Sequence, residues 1–433
     1  MALRTLTDAG GVRAALERIA RHPIVEALRA DVWLAFRNVL RQRRRSLVGI
    51  ASVAFGVVAL LLAAGFIEWV YWAMREDTIR SGLGHIQVVR KGYLESGQAD
   101  PFAFLIPGNA TERESLEKWP GVRTLSPRLG FSGLVSLGDT TISFIAEAMD
   151  PARELELAAS VLIEQGEALS VEHPREIIMG QGLAANLGAK VGDTVILLAN
   201  TGAGGINAVE TRVRGLFSTV SKAYDDAALR VPLATAEELL RVAGAHKWVV
   251  LLTSTADTAG TAAGMRGRLD ESRFEVVPWY ALADFYNKTV ELFSKQVSVM
   301  KIIIAIIIVL SISNTQTMSV LERTSEIGTS MALGVTRAQT LRRFLLESLA
   351  IGLIGGLIGL FLGMLLAKVI SIVGIPMPPP PGMARGFIGQ IRVSWGLAAD
   401  AFALALVTTL LAGVYPAWKA SRMMIVDALR QAR

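Results

Sequence analysis

No cysteine occurs anywhere in this 433-residue chain. Its absence excludes disulfides, thiolate metal sites, a cysteine nucleophile and an acylated N-terminal cysteine. Histidine is almost as scarce. His22, His85, His173 and His246 are scattered, and no two of them have ligand spacing. There is no Gly-x-x-x-x-Gly-Lys-Ser/Thr stretch, so the chain is not expected to hydrolyse nucleotide itself. A His-Glu-x-x-His pair and a Gly-x-Ser-x-Gly elbow are missing too, and no enzyme class has a motif to stand on. Charged residues are 19% of the chain, below the roughly one quarter usual in soluble domains.

What is abundant is apolar. Hydrophobic residues make up 52% and the mean hydropathy is +0.44. Four runs can cross about 30 Å of hydrocarbon at about 1.5 Å per residue. They are 46–72, 290–318, 344–373 and 395–418. The first is too long for a signal-peptide core and no small-residue cleavage site follows it, so it reads as an anchor. Between the first and second runs lies a polar stretch, 73–289, large enough to form its own domain. The expected fold is α-helical membrane protein with four transmembrane helices. A large α+β extracytoplasmic domain is inserted between helices 1 and 2.

The net charge is +6, and the basic residues cluster beside the apolar runs. That is a membrane-surface bias; nucleic acid is not an expected partner. Arg37, Arg41, Arg43, Arg44 and Arg45 precede the first run. Arg323, Arg337, Arg342 and Arg343 fall between the second and third, and Lys419, Arg422, Arg430 and Arg433 follow the fourth. The positive-inside rule therefore puts both termini, 1–45 and 419–433, and the 319–343 loop in the cytoplasm. Residues 73–289 and the short 374–394 loop fall outside. Trp69, Tyr71, Trp72 and Trp395 fit an outer aromatic belt. In 24–44, Ile24, Leu28, Val32, Ala35, Phe36, Val39 and Leu40 recur at helical spacing. They read as an amphipathic elbow helix in the inner interface, or as a cytoplasmic extension of the first span.

Within the third run, Gly352, Gly355, Gly356, Gly359 and Gly363 make overlapping small-xxx-small pairs. They imply close helix packing, within one chain or across a dimer. Lys301 is read as snorkelling outward, and Glu68 and Asp400 as sitting at the outer interface. The polar stretch carries alternating segments at 85–89, 133–137, 141–147, 194–198, 209–215 and 249–253, with a further short strand at 275–277. Helical segments fall at 111–118, 182–187, 235–242 and 256–269. Gly188, Gly192 and Asp193 mark a tight turn, and Gly202, Gly204 and Gly205 a hairpin tip.

Between the second and third runs sits Glu322-Arg323-Thr324-Ser325-Glu326-Ile327-Gly328-Thr329-Ser330-Met331-Ala332-Leu333-Gly334. Glu322, Arg323 and Glu326 offer polar contacts. Ile327, Met331 and Leu333 form an apolar ridge, and Gly328 and Gly334 start and stop a helix. By its residues alone the segment is a docking helix or an ordinary solvated loop.

This segment, with Ala332-Leu333-Gly334 closing it, resembles the "ERxxEIGxxxALG" signature of MacB-like (type VII) ABC transporter permeases, the group of the MacB, LolC/LolE and FtsX proteins. Arg342-Arg343-Phe344-Leu345-Leu346-Glu347 and the glycine-rich run match as well. So do Tyr415-Pro416-Ala417-Trp418-Lys419-Ala420-Ser421-Arg422 and Ala428-Leu429-Arg430. Ile177-Ile178-Met179-Gly180 through Val191-Gly192-Asp193-Thr194-Val195 resembles the family's periplasmic core motif. The resemblance covers most of the chain.

The resemblance implies a non-catalytic permease subunit in a bacterial inner membrane. A separate cytoplasmic ABC ATPase would bind ATP and Mg, and this chain would bind no cofactor and no metal. A second permease chain would complete a homodimer or a heterodimer, with a periplasmic carrier or adaptor as a further partner. Residues 322–334 would couple to the ATPase. The outer domain would divide into porter-like flanks and a sabre-like insertion near 121–235, moved by mechanotransmission. Lipoprotein release or related export is the first functional expectation. MacB-like efflux with an outer-membrane partner and FtsX-like control of cell-wall hydrolases are the alternatives.

Overall fold

The computed structural model describes residues 23–41, 43–97, 99–157, 161–219, 221–378 and 386–424. His22, the proline run from 379, and the C-terminal stretch with Ala428, Arg430 and Arg433 lie outside them. The side chains of 23–30 lie outside as well.

The chain begins with α1 (Pro23–Arg41) and α2 (Arg43–Thr78), then β1 (Ile86–Arg90), α3 (Thr111–Glu117), β2 (Val122–Leu137) and β3 (Thr140–Met149). Next come α4 (Pro151–Leu157), β4 (Leu162–Gly166), β5 (Glu176–Gly180), α5 (Gln181–Leu187), β6 (Thr194–Asn200) and β7 (Ile206–Ser218). They lead to β8 (Ala228–Pro232), α6 (Leu233–Leu240), β9 (Lys247–Leu252), α7 (Thr258–Arg266) and β10 (Phe274–Pro278). The chain closes with α8 (Asp284–Glu322), α9 (Thr324–Ala332), α10 (Arg337–Val373) and α11 (Trp395–Ser421). Contacts divide it into a helical unit (1–70, 292–375, 389–433) and a mixed α+β domain (71–291, 376–388).

In the helical unit, α2, α8, α10 and α11 are long and apolar enough to cross a membrane. The most apolar windows of α2, α10 and α11 are 44%, 39% and 44% buried, against 11% for α8. So α2, α10 and α11 form the packed centre. α8 touches it along one stripe, Ile304, Ile308, Ile312 and Gln316, at the i, i+4 spacing of one helix face. Lys301, read from sequence as snorkelling, instead reaches Asp400 of α11 at 3.1 Å. Glu68 accepts from the Ser394 hydroxyl at 2.8 Å, and Ser394 in turn caps α11.

The domain is built on one ten-stranded sheet in the order β10-β1-β9-β2-β3-β8-β5-β7-β4, with β6 pairing β2 and β7. β2 changes partner along its length. Residues 122–128 pair with β9 and 128–137 with β3. Two cores follow from that change. Ile86, Leu116, Leu125, Trp248, Met265 and Phe274 fill one. Leu129, Phe144, Ile177, Val195, Val213 and Leu239 fill the other. The boundary runs through Arg128, whose carbonyl accepts from the His246 N–H at 2.9 Å. α7 lies on β10, and Arg266 donates to the Val276 carbonyl at 3.0 Å.

β4, β5 and β8 and the first half of β2 are strands beyond those read from the sequence. β5 and β8 are short apolar runs buried almost throughout, so they lack the alternation that marks a half-exposed strand. β4 is an exposed, polar edge strand with little apolar signal.

Candidate functional site

The 322–334 segment owes its shape to its ends. α8 stops at Glu322 and α9 begins after Arg323, which has non-helical backbone angles. α9 ends in a Schellman motif. The Gly334 N–H donates to the Met331 carbonyl at 3.1 Å and the Val335 N–H to the Ser330 carbonyl at 3.1 Å. Gly334 takes φ +101, which only glycine adopts freely. Two residues on, Thr336 caps α10 in a box with Gln339. Gly328 does not start the helix. It lies inside α9 and is buried, so its missing side chain serves packing.

The apolar ridge read from sequence divides. Ile327 is buried and Met331 half-buried, in a cluster with Val320, Phe344, Ala417 and Ala420. Leu333 points the other way and is 84% exposed, with Ala332 and Gly334 exposed beside it. The polar set divides too. Arg323 turns inward, pairing with Glu347 at 3.2 Å and lying over the Phe344 ring. Glu322 and Glu326 remain about half exposed and pair with Arg45 and Arg41.

α1 braces this arrangement. Asp31, Ala35 and Val39 are buried at i, i+4 and i+8, one stripe of the helix. Asp31 takes Arg343 at 2.9 Å on one oxygen and Arg342 on the other. Arg41, in the last turn, reaches Glu326 at 2.8 Å. Sequence reasoning missed Asp31. The available signal was an acid on the apolar stripe of an amphipathic helix.

The five glycines of α10 make two rows. A β-carbon added at Gly355, Gly359 or Gly363 would lie only 2.6–2.8 Å from Val53, Val57 or Leu61 of α2. A side chain at Gly352 or Gly356 would run into Thr409 or Phe402 of α11. All five are buried. The strip therefore packs α10 against two neighbours of its own chain.

In the α+β domain a buried cluster of charged residues sits at the boundary between the two cores. Arg128 is fully buried. It donates to the Gly82 carbonyl at 3.0 Å and pairs with Glu147 at 2.9 Å and with Glu154. Burial alone would raise the Glu147 carboxyl, but Arg128, Lys247 and Arg230 together lower it to about 2. His85 accepts from the Leu252 N–H through Nδ1 at 3.0 Å and faces the Thr255 hydroxyl through Nε2. Burial lowers it to about 4. His246 accepts from the Gly130 N–H at 3.2 Å and stacks on Tyr93, and burial lowers it to about 4 as well.

Comparison with known proteins places the chain in a family. The MacB-like periplasmic core domain model matches residues 46–268, more than half of the chain, and the FtsX-like permease C-terminal model matches 298–425. The chain belongs to the MacB/FtsX family of ABC transporter permeases. An uncharacterized ABC transporter permease of Methanocaldococcus jannaschii is 24% identical over 92% of this chain and 97% of its own length. The macrolide export ATP-binding/permease protein MacB of Sodalis glossinidius is 25% identical over 98% of this chain. This chain spans 65% of that protein's length. The pyoverdine export ATP-binding/permease protein PvdT of Pseudomonas aeruginosa is 34% identical over 28% of this chain and 16% of its own.

Proposed function

We propose that this chain is the membrane subunit of an ABC exporter whose ATPase, with its ATP and Mg, is a separate cytoplasmic chain. The ATPase grips the tip of α9, and its cycle moves the α+β domain on the other side of the membrane. The observation that carries this reading is the division of α9. Ile327, Met331 and Arg323 tie one face into the helical unit, while Leu333 stands 84% exposed at the tip. A helix fixed on one face and apolar at its free tip transmits a push. A solvated loop would do neither.

Orientation follows the arginines, with both termini and α9 cytoplasmic. Two permease chains, identical or paired with a relative, match two ATPase subunits, and a periplasmic carrier or adaptor receives the cargo. The names of the Sodalis and Pseudomonas relatives favour a small extracytoplasmic molecule as cargo over a released lipoprotein. Lipoprotein release and control of a cell-wall hydrolase remain the competing outcomes.

The test is Leu333→Asp, alone and with Glu326→Lys, co-expressed with an ABC ATPase. Loss of co-purification and of permease-stimulated ATP hydrolysis is expected. Full retention of both would sink the docking role.

A further inference from the structure

A cavity of about 550 Å³ opens in the α+β domain, lined by the last turn of α2, the wide turn after it, β3 and the 219–224 segment. Its size lies within the range of small-molecule sites. Leu83, Ile145 and the Tyr224 ring supply an apolar side, and Asp77, Glu147 and Lys247 supply charge.

The three charges are not equivalent. Both Glu147 oxygens are committed, one to Arg128 at 2.9 Å and the other to Lys247 at 3.1 Å. Asp77 is half-buried and has no hydrogen bond or ion pair among the described residues. The nearby arginines do not serve it, because Arg75 and Arg80 both face Glu76. Asp77 is not sealed from water, so its carboxylate stays open on the cavity side to a cationic group. A metal ion is a poor candidate, since Asp77 is the one carboxylate of the wall with free oxygens and hard cations take six or more oxygen ligands. A protonated amine needs only a few acceptors: the Asp77 carboxylate is one, and the Ser81 and Ser221 hydroxyls, which bond the Thr78 carbonyl and the Tyr224 N–H, keep lone pairs in the same wall.

We infer that this cavity binds a small amphiphile bearing a protonated amine, its amine on Asp77 and its apolar body against Leu83, Ile145 and Tyr224. The export reading makes such a ligand cargo, and in that sense the inference rests on it; the binding itself does not.

The test uses the full chain purified in detergent and two probes with one fluorophore. Dansylcadaverine carries an amine and dansylglycine a carboxylate. Saturable, blue-shifted binding of dansylcadaverine is expected, with dansylglycine at least about tenfold weaker. Asp77→Asn should weaken dansylcadaverine by about tenfold, the loss of one charge-assisted contact. Ile145→Arg puts a cation at the mouth and should weaken it likewise. Ile145 is 58% exposed, so this variant folds and decides the matter if Asp77→Asn does not accumulate. Equal binding of the two probes, or undiminished binding by these variants, overturns the inference. That failure would leave α9 docking standing, because docking is read from ATPase co-purification with Leu333→Asp.

Discussion

In the helical unit the closest packing occurs where side chains are missing. The α+β domain, which also brings backbone together at glycines such as Gly133 and Gly180, encloses some of the largest side chains of the chain. α10 meets α2 and α11 through five glycines, and the charges of α1, α9 and α10 gather at one end of the unit. The domain buries Trp248, Arg128 and Arg230 entirely or nearly so and places its ion cluster at the boundary of two apolar cores. The difference follows from the solvent. Lipid offers no hydrophobic gain for helix contact, so helices associate where backbones approach closely. Water drives large apolar groups together, and the domain can then satisfy a buried arginine with two carboxylates.

Acid should break this comparison most visibly. His85 and His246 each have a folded value of about 4 against an ordinary 6.5, and Glu147 about 2 against 4.5. The unfolded chain therefore takes up protons first. The stability these groups contribute is present above the unfolded values and is lost as pH falls. The histidines lose theirs from about 6.5 towards 4, and Glu147 from about 4.5 towards 2. The two histidines together account for on the order of 4 kcal/mol between pH 7 and pH 4.5. The described residues of the helical unit contain no histidine. Hydrogen exchange resolved by region and corrected for intrinsic rate should show the strands of the domain losing protection by pH 4.5, while α2, α10 and α11 keep theirs. Equal loss in both regions would contradict the assignment of the neutral, buried histidines as the acid-sensitive element.

Alanine in place of glycine sharpens the same contrast with a smaller effect. At Gly359 of α10 a β-carbon would lie 2.7 Å from Val57 and 2.9 Å from the Ala54 carbonyl. Backbone cannot swing aside, so Gly359→Ala should destabilise the helical unit by about 1–3 kcal/mol. At Gly260 of α7 nothing lies within 4 Å. Gly260→Ala should stabilise the domain by about 0.5–1 kcal/mol through the entropy of the unfolded chain. Thermal unfolding of the detergent-solubilised variants reads both. A neutral Gly359→Ala would mean that α2 and α10 are not held by backbone approach.

The two regions also differed in how far their sequences could be read. The apolar runs and the glycine spacing are periodic over long stretches, so the four helices were legible, and the strip on α10 was visible as a packing surface. Which helices it faced was not, because spacing gives a face and not a neighbour. In the domain the alternating strands β3, β6 and β7 were legible, whereas β5 and β8, buried on both sides, carry no alternation. The candidate site was half legible. Its residues stand in one contiguous segment, but the direction of each depends on where α9 packs. That packing involves Phe344 on the next helix and Ala417, more than eighty residues beyond the segment. Asp31 and its two arginines pair across more than three hundred residues, which no local pattern records.

The last pair of variants tests α9 itself, where Arg323 lies between a buried acid, Glu347 at 3.2 Å, and an exposed one, Glu326 at 3.5 Å. Arg323 and Glu347 are 18% and 6% exposed, while Arg41 and Glu326 are 70% and 48% exposed. An exposed pair gains little, because water screens the attraction and two long side chains must be held still. Glu326→Gln should therefore change the melting of the isolated chain by less than about 1 kcal/mol. Glu347→Gln takes the nearer and more buried charge from Arg323, leaving it the exposed Glu326, and should cost more, about 1.5–3 kcal/mol. If the outer face of α9 is a docking face, the ranking reverses for a different readout. Association with the ATPase should weaken in Glu326→Gln at unchanged melting temperature, whereas in Glu347→Gln it should weaken only as far as folding does. Equal melting losses in the two variants would place Glu326 inside the structural cluster. The exposed tip at Leu333 would then be the sole candidate for the motor's grip.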